Sequence, residues 1–432
     1  MSRMIVSKAV ASRSFSSSTA LRRLTSTQQA IRKLRCMRSL GCSRWNELPL
    51  DQHFPTKRLE NKNFSTSSLY QQPEDDESTS SGLTREISHI RNVAIIAHVD
   101  HGKTTIVDEL LRCAASSSME SSKEDQQNQQ LVMDSGELER ERGITITSKV
   151  TRLDYQDNNN AKFTINVVDT PGHADFAGEV DRILSMIDGV CLVVDAAEGA
   201  MAQTKYVLSR ALKLNLKPVV VLNKCDKENA WTRIESGEVE TEILDLFDAL
   251  GANEKQMEYV TIYASGKSGW ATADIDVARQ LATGNKTVSS SNDVSMKTLL
   301  NTIVSYIPPP TAAAHLTQDH ENKHLDEPFS MAATTVGYDP FLGRLCTGRI
   351  LSGQIQKSDS VSVIPRSTLH DKQSNISATA PPLLSPSTTV SGVFVNRGVS
   401  RTPLIPPIAS VGDIVTLSGV PDSISVGDTI TS

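Results

Sequence analysis

Residues 91–105 read Arg91-Asn92-Val93-Ala94-Ile95-Ile96-Ala97-His98-Val99-Asp100-His101-Gly102-Lys103-Thr104-Thr105, and this stretch decides the fold. Val93 to Ala97 is a short apolar run that ends in a polar turn, and Lys103 to Cys113 then has helical spacing. A turn holding Gly-Lys-Thr between a buried strand and a helix is the context of a phosphate-binding loop. Its backbone N–H groups and the helix N-terminus can surround an anion. The phosphate-binding set is then Asp100, His101, Gly102, Lys103, Thr104 and Thr105. Lys103 supplies a point charge to the outer phosphates, and the Thr104 hydroxyl is a ligand for Mg²⁺. Ala97 stands where such loops usually open with glycine, so the match on its own is incomplete.

Three further motifs lie downstream, each leaving an apolar run. Asp169-Thr170-Pro171-Gly172-His173 follows Phe163 to Val168. A carboxylate there can hold Mg²⁺ through water, and the Gly172 N–H can reach a γ-phosphate. His173 then projects toward the phosphate end of the site. Asn223-Lys224-Cys225-Asp226 follows Val219 to Leu222. The Asp226 carboxylate can accept from both N1–H and the 2-amino group of guanine, donors that adenine lacks, while the Lys224 stem packs on the base. Ser265-Gly266, after Val260 to Tyr263, can meet the guanine O6 through the backbone. Alone, each motif reads equally as an ordinary polar turn. Together they run in the order phosphate, Mg²⁺, base, each at the carboxyl end of a strand, where open α/β sheets bind ligands. GTP or GDP with Mg²⁺ is the expected ligand.

The remaining pattern sets the architecture. Val190 to Val194 reads as another buried strand. Val180 to Ile187, Gln203 to Leu214 and Glu240 to Leu250 have helical spacing. The fold class is α/β, a mainly parallel sheet with helices on both faces, placed at 86–310. Ile307-Pro308-Pro309-Pro310 stops the last helix. Short strands between Gly, Pro and Ser turns follow: Phe329 to Thr335, Gly343 to Leu351, Ser360 to Ile364, Val390 to Val395 and Ile414 to Leu417. They predict a small antiparallel β-barrel at 325–432, with a long insertion at 366–389. Ser116 to Gln130 and Thr287 to Asp293 read as polar surface loops.

Composition bounds the class. Of 432 residues, 22% are charged and 38% apolar, a globular balance with room for two or three domains. No apolar run is long enough to span a bilayer, and no membrane partner is expected. The six cysteines form no CxxC pair and no zinc spacing, so they read as reduced thiols. The net charge of −6 hides an asymmetry, because residues 1–46 hold no Asp or Glu but carry Arg22, Arg23, Arg32 and Arg35 among other cations. Residues 1–85 therefore read as an organelle transit peptide and linker. Mitochondrion is favoured over plastid, since basic residues start at once and Arg dominates. A basic arm that binds RNA, or nothing, is the competing reading.

Between the first two motifs lie Met133-Asp134-Ser135 and Glu139-Arg140-Glu141-Arg142-Gly143-Ile144-Thr145-Ile146. By charge alone the latter is a solvated helix face. Its Arg-Gly-Ile-Thr-Ile resembles the first switch of translational GTPases. With residues 91–105, Val193-Val194-Asp195-Ala196-Ala197-Glu198-Gly199, Met201, Gln203 and Thr204, the chain most resembles the TypA/BipA ribosome-binding GTPases. The likeness covers Ile87 to about Gly353 well and the barrel more loosely.

The resemblance implies a GTPase with His173, Lys103 and Thr145 as catalytic residues. His173 orients water, Thr145 closes on Mg²⁺ and the γ-phosphate, and Val99 and Ile144 form an apolar gate beside His173. It also implies a monomer whose partners are the ribosome and ribosomal RNA, which stimulates hydrolysis. The resembled family continues into further domains, so a truncated or reduced form is expected here. The competing classes are a GTP-binding module without a ribosome cycle and a related organellar elongation factor.

Overall fold

The computed structural model describes residues 87–117, 149–170, 177–201, 204–284, 294–310, 327–366, 385–398 and 400–432. Val93 to Ala97 lies at the end of a longer strand, β1 (Ile90–Ala97), whose eight residues are all buried. It pairs in parallel with β3 (Lys162–Asp169) on one side and β4 (Gly189–Asp195) on the other. Beyond β4 come β5 (Lys217–Asn223) and β6 (Val260–Ser265), also parallel. The edges are antiparallel: β2 (Val150–Gln156) on β3, and β7 (Trp270–Thr272) on β6. The order is β2-β3-β1-β4-β5-β6-β7.

Strand alternation sorts the central residues into two cores. Ala94 and Ile96 face one, with Val180, Ile183, Val207, Leu208, Ile243 and Phe247. Val93, Ile95 and Ala97 face the other, with Ile106, Leu110, Leu299 and Ile303. The first core is roofed by helices α2 (Ala177–Leu184), α3 (Thr204–Lys213) and α5 (Glu238–Ala249). The second is roofed by α1 (Lys103–Ser117) and α8 (Lys297–Tyr306). In α3 the buried positions are Thr204, Val207, Leu208, Ala211 and Leu212, one stripe of a 3.6-residue period. This is the expected mainly parallel α/β fold. The pattern did not reveal β2, α4 (Glu228–Glu235), α6 (Glu254–Met257), β7 or α7 (Ile275–Ala282).

The second domain is antiparallel, as expected. Its main sheet joins nine strands along the path β13-β12-β18-β8-β10-β17-β14-β15, with β9 also on β10. These are β8 (Ser330–Ala332), β9 (Thr335–Asp339), β10 (Gly343–Ser352), β12 (Ser360–Ile364), β13 (Thr388–Thr389), β14 (Gly392–Arg397), β15 (Ser400–Pro403), β17 (Ile414–Ser418) and β18 (Thr429–Thr431). A two-stranded ladder, β11 (Gln354–Gln356) with β16 (Ile408–Ser410), adjoins it. Met331, Cys346, Val363, Val393, Leu417 and Ile430 fill the shared core.

Three strand bounds differ from the sequence expectation, the first being Phe329 to Thr335, which is broken because β8 ends at Ala332 and Thr335 begins β9. The insertion expected at 366–389 ends earlier, because Thr388 and Thr389 pair with Val361 and Ser360. Val390 to Val395 is not one strand. Val390 bonds toward Asp359 and Ser358, whereas Val393 pairs with Leu417, so the chain changes partner strand between them. The remainder of the insertion (367–384), most of Ser116 to Gln130, and Thr287 to Asp293 fall outside the described residues, as do residues 1–86.

The α/β domain and the barrel meet through buried polar groups. Arg349 Nη1 lies 3.0 Å from Asp188 Oδ1 and donates to the Met186 carbonyl at 3.2 Å. Asn92 Nδ2 donates to Asp188 Oδ2 and to the Gly412 carbonyl, both at 3.0 Å. Asn166 Nδ2 donates to Asn92 Oδ1 at 2.8 Å. Nearby, Arg152 Nη1 lies 3.4 Å from Asp413 Oδ1, both side chains 1% exposed. Ile414 of the barrel packs into the first α/β core.

Candidate functional site

The carboxyl ends of β1, β3, β4, β5 and β6 share one edge of the sheet, and the loops leaving them build the site. After β1 the chain turns sharply. Asp100 has φ 65° and Gly102 φ 89°, and the His101 N–H donates to the His98 carbonyl at 3.2 Å. Gly102 is required twice over. Its φ suits glycine, and a Cβ there would overlap the side-chain nitrogen of Asn223. The helix N-terminus follows at once, with the Ile106 N–H on the Gly102 carbonyl at 3.0 Å.

His101 is buried at 1% exposure, its ring edge-on to His98 at 5.1 Å. Burial and neighbouring His98 hold its pKa below the ordinary histidine value. At neutral pH the imidazole is uncharged, so the ring offers no positive charge to the loop.

Lys103 Nζ lies 2.7 Å from Asp169 Oδ1 and donates to the Thr170 carbonyl at 2.8 Å. The expected cation and the expected Mg²⁺ carboxylate are thus brought together. Thr170, to which the motif assigns no role in the sequence, fixes the turn by donating its hydroxyl to the Ile95 carbonyl at 2.9 Å. Among the described residues no group of three His, Cys, Asp or Glu could hold a metal ion. The donors that do fit Mg²⁺ are Thr104 and Asp169, hard oxygen ligands that suit a cation keeping waters and phosphate oxygens. Asp169 is 3% exposed and already faces a cation, so a positive charge at this carboxylate agrees with its surroundings. Thr145, Ile144, Gly172 and His173 lie outside the described residues, and Val99 is half-buried in the first loop.

The base motif is assembled by Asn223. Its Nδ2 donates to the His101 carbonyl at 2.9 Å, and its Oδ1 accepts from the Gly266 N–H at 3.0 Å. One buried side chain therefore ties three loops together. Ser265 donates its hydroxyl to Asp226 Oδ1 at 2.7 Å and accepts from the Ser268 N–H at 3.2 Å. Asp226 is exposed beside that turn, free to face a base edge. Gly266 sits tightly over the helix of the first loop, since a Cβ would lie 3.2 Å from Thr105 Cγ2. Lys224 takes φ 60°, and its Nζ lies 2.9 Å from Asp195 Oδ2. Cys225 and Cys191 are buried thiols, acting as small apolar groups.

In the sequence Asp195 belongs only to the stretch that carries the resemblance. Its signal was a lone carboxylate ending a strand whose seven residues are all buried, the same place Asp169 occupies.

The model of the elongation factor Tu GTP binding domain matches residues 88–309. The large ribosomal subunit assembly factor BipA of Bacillus subtilis is 40% identical over 341 residues, 79% of this chain and 46% of that protein. The protein of the same name from Synechocystis sp. is 39% identical over 342 residues, 79% of this chain and 48% of its own. That from Haemophilus influenzae is 37% identical over 348 residues, 80% and 47%. The chain spans about half the length of the curated relatives it matches. The motif order, the loop geometry and these similarities agree: the chain belongs to the family of the elongation factor Tu GTP binding domain, in its TypA/BipA branch.

Proposed function

We propose that this protein binds GTP with Mg²⁺, hydrolyses it to GDP and phosphate, and acts as a ribosome-associated switch. The observation that carries the reading is Asn223 holding the phosphate loop at His101 and the base loop at Gly266. A site so tied presents phosphate donors and a guanine acceptor in one frame. Asp226 selects guanine, Lys103 and the loop N–H groups bind the phosphates, and Thr104, Thr145 and Asp169 hold Mg²⁺. Bound there, Mg²⁺ would offset charge on the transferring phosphoryl group. His173 orients the attacking water, with Val99 and Ile144 as its apolar gate. Loss of the γ-phosphate contacts of Thr145 and Gly172 would release both segments, the usual switching device of such sites.

The relatives' name as assembly factors of the large ribosomal subunit supports a ribosomal partner. Among the described residues no helix is long and apolar enough to cross a membrane. The acid-free leader supports import into mitochondria, with plastids as the other address.

The test is nucleotide titration of the full chain with GTP, GDP and ATP in Mg²⁺, followed by phosphate release with and without ribosomes. Guanine selectivity, slow basal release, stimulation by ribosomes and loss of that stimulation in His173→Ala are expected. Equal affinity for ATP would overturn the base assignment, and release at the basal rate with ribosomes present would overturn the ribosomal one. A fusion of residues 1–85 to a fluorescent reporter tests the address, and a cytosolic signal refutes import.

A further inference from the structure

We infer that Asp195 is a positioning residue for the nucleotide, setting the base loop against the phosphate loop through Lys224. The inference rests on the guanine-nucleotide reading of the site and adds a residue to it. Asp195 closes β4 with a fully buried side chain, one oxygen of which is directed at the site through Lys224. Oδ1 accepts from the Ala197 N–H at 2.8 Å. Oδ2 lies 2.9 Å from Lys224 Nζ and 3.2 Å from Lys227 Nζ. The backbone reinforces the placement. Asp195 is in register with Asn223, the Ala196 N–H donates to the Asn223 carbonyl at 3.0 Å, and the Gly199 N–H donates to the Asp195 carbonyl at 2.8 Å.

The consequence falls on Lys224. This residue is held at φ 60° between Asn223 and Asp226, and its Cε lies 4.0 Å from where a Gly102 Cβ would be. The lysine stem therefore runs past the phosphate loop, and Asp195 holds its far end. A long flexible side chain so anchored has little rotamer freedom left, so a ligand lying along it meets a prepared wall. Burial pushes the Asp195 carboxyl up, but hydrogen bonds from Lys224, the Ala197 amide and Lys227 outweigh that and hold it below the usual carboxylate range. The anchor is thus ionised at neutral pH. Without its charge Lys224 would lose its anchor, while the Cys225 N–H bond to the Ala264 carbonyl and the Asn223 and Ser265 bonds would still hold the base loop.

The test follows release of a fluorescent N-methylanthraniloyl-GDP from the full chain in Mg²⁺, chased with excess GDP. Asp195→Asn keeps the shape and an acceptor for Ala197 but removes the charge. Release about tenfold faster is expected, the size of one lost charge-assisted hydrogen bond. Association rate should stay at the wild-type value, whereas the melting point without nucleotide should fall somewhat, because a buried carboxylate held below its usual range stabilises the fold. Lys224→Gln should accelerate release at least as much, and the double variant should go no further than the more severe single one, because each already removes the shared Asp195–Lys224 pair. Release at the wild-type rate in Asp195→Asn, or fully additive effects in the double variant, would overturn the positioning role. Should Asp195→Asn fail to fold, Lys224→Gln releasing at the wild-type rate overturns it equally. A wild-type chain that binds no guanine nucleotide overturns the reading of the site itself, and this inference with it.

Discussion

The side-chain amide of Asn223 donates to the carbonyl of His101 at 2.9 Å, joining residues 122 apart in the chain. The two lie on loops from different strands, one expected to meet phosphate and the other the base. Asn223 is 2% exposed, so water cannot replace what it provides. Asn223→Ala would leave the Gly266 N–H and the His101 carbonyl unpaired, at about 1–3 kcal/mol for each group left buried. Urea unfolding should show that loss, and nucleotide affinity should fall with it. Wild-type values for both would refute the keystone role.

Gly102 offers a steric test of the same contact. Gly102→Ala places a Cβ on the Asn223 side chain at a φ of 89°, so either the loop or Asn223 must move. We expect the substitution to destabilise the fold by about 1–3 kcal/mol, as for strain in a sparsely populated backbone region, and to weaken phosphate binding. Nucleotide titration with GDP is the measurement. An unchanged dissociation constant would mean that the turn is not the phosphate loop.

Asp226 should decide the base. Its Oδ1 is held by Ser265 at 2.7 Å, which aims the carboxylate. Asp226→Asn exchanges one acceptor for a donor, which suits xanthine better than guanine. A loss of roughly ten- to a hundredfold in GTP affinity is expected, from about 1.5–3 kcal/mol for a hydrogen bond to a charged group. Xanthosine triphosphate should regain it. Unchanged preference in a competition titration would sink the assignment.

The interdomain pair Arg349–Asp188 predicts an asymmetry. Arg349→Met takes from a buried carboxylate its nearest cation, leaving the Asn92 bond and Arg91, at up to about 3–5 kcal/mol, whereas replacing both partners by apolar residues costs less. Calorimetry should show the single variant separating the unfolding of the two domains and the double variant partly restoring it. Equal losses in both would refute a charge-burial cause.

pH dependence follows from the same residues. Burial raises the Asp188 carboxyl despite Arg349, Asn92 and Arg91, and burial likewise raises Asp413 despite Arg152. A folded-state pKa above the unfolded one means that the folded chain takes up these protons first. Their contribution is fully present below the unfolded value, about 3.9, and is lost as pH rises through the raised folded value. Asp188→Asn should flatten that part of the stability–pH curve. A curve unchanged by the substitution would count against it.

The sequence by itself determined the α/β fold and the outline of the site. Strands such as Ile90–Ala97 and Gly189–Asp195 are buried along their whole length, so their apolar runs are local and legible. The motifs were legible because a loop that wraps phosphate or selects a base needs particular residue types in a short stretch. Short or edge elements such as Val150–Gln156 were not legible, since exposed positions break their pattern. Tertiary structure alone decided which polar groups meet. Nothing local marks Asp195 as the anchor of Lys224, or Arg349 as the partner of Asp188. A charge tolerates burial only beside a partner, and here that partner arrives from a distant strand once the sheet has formed.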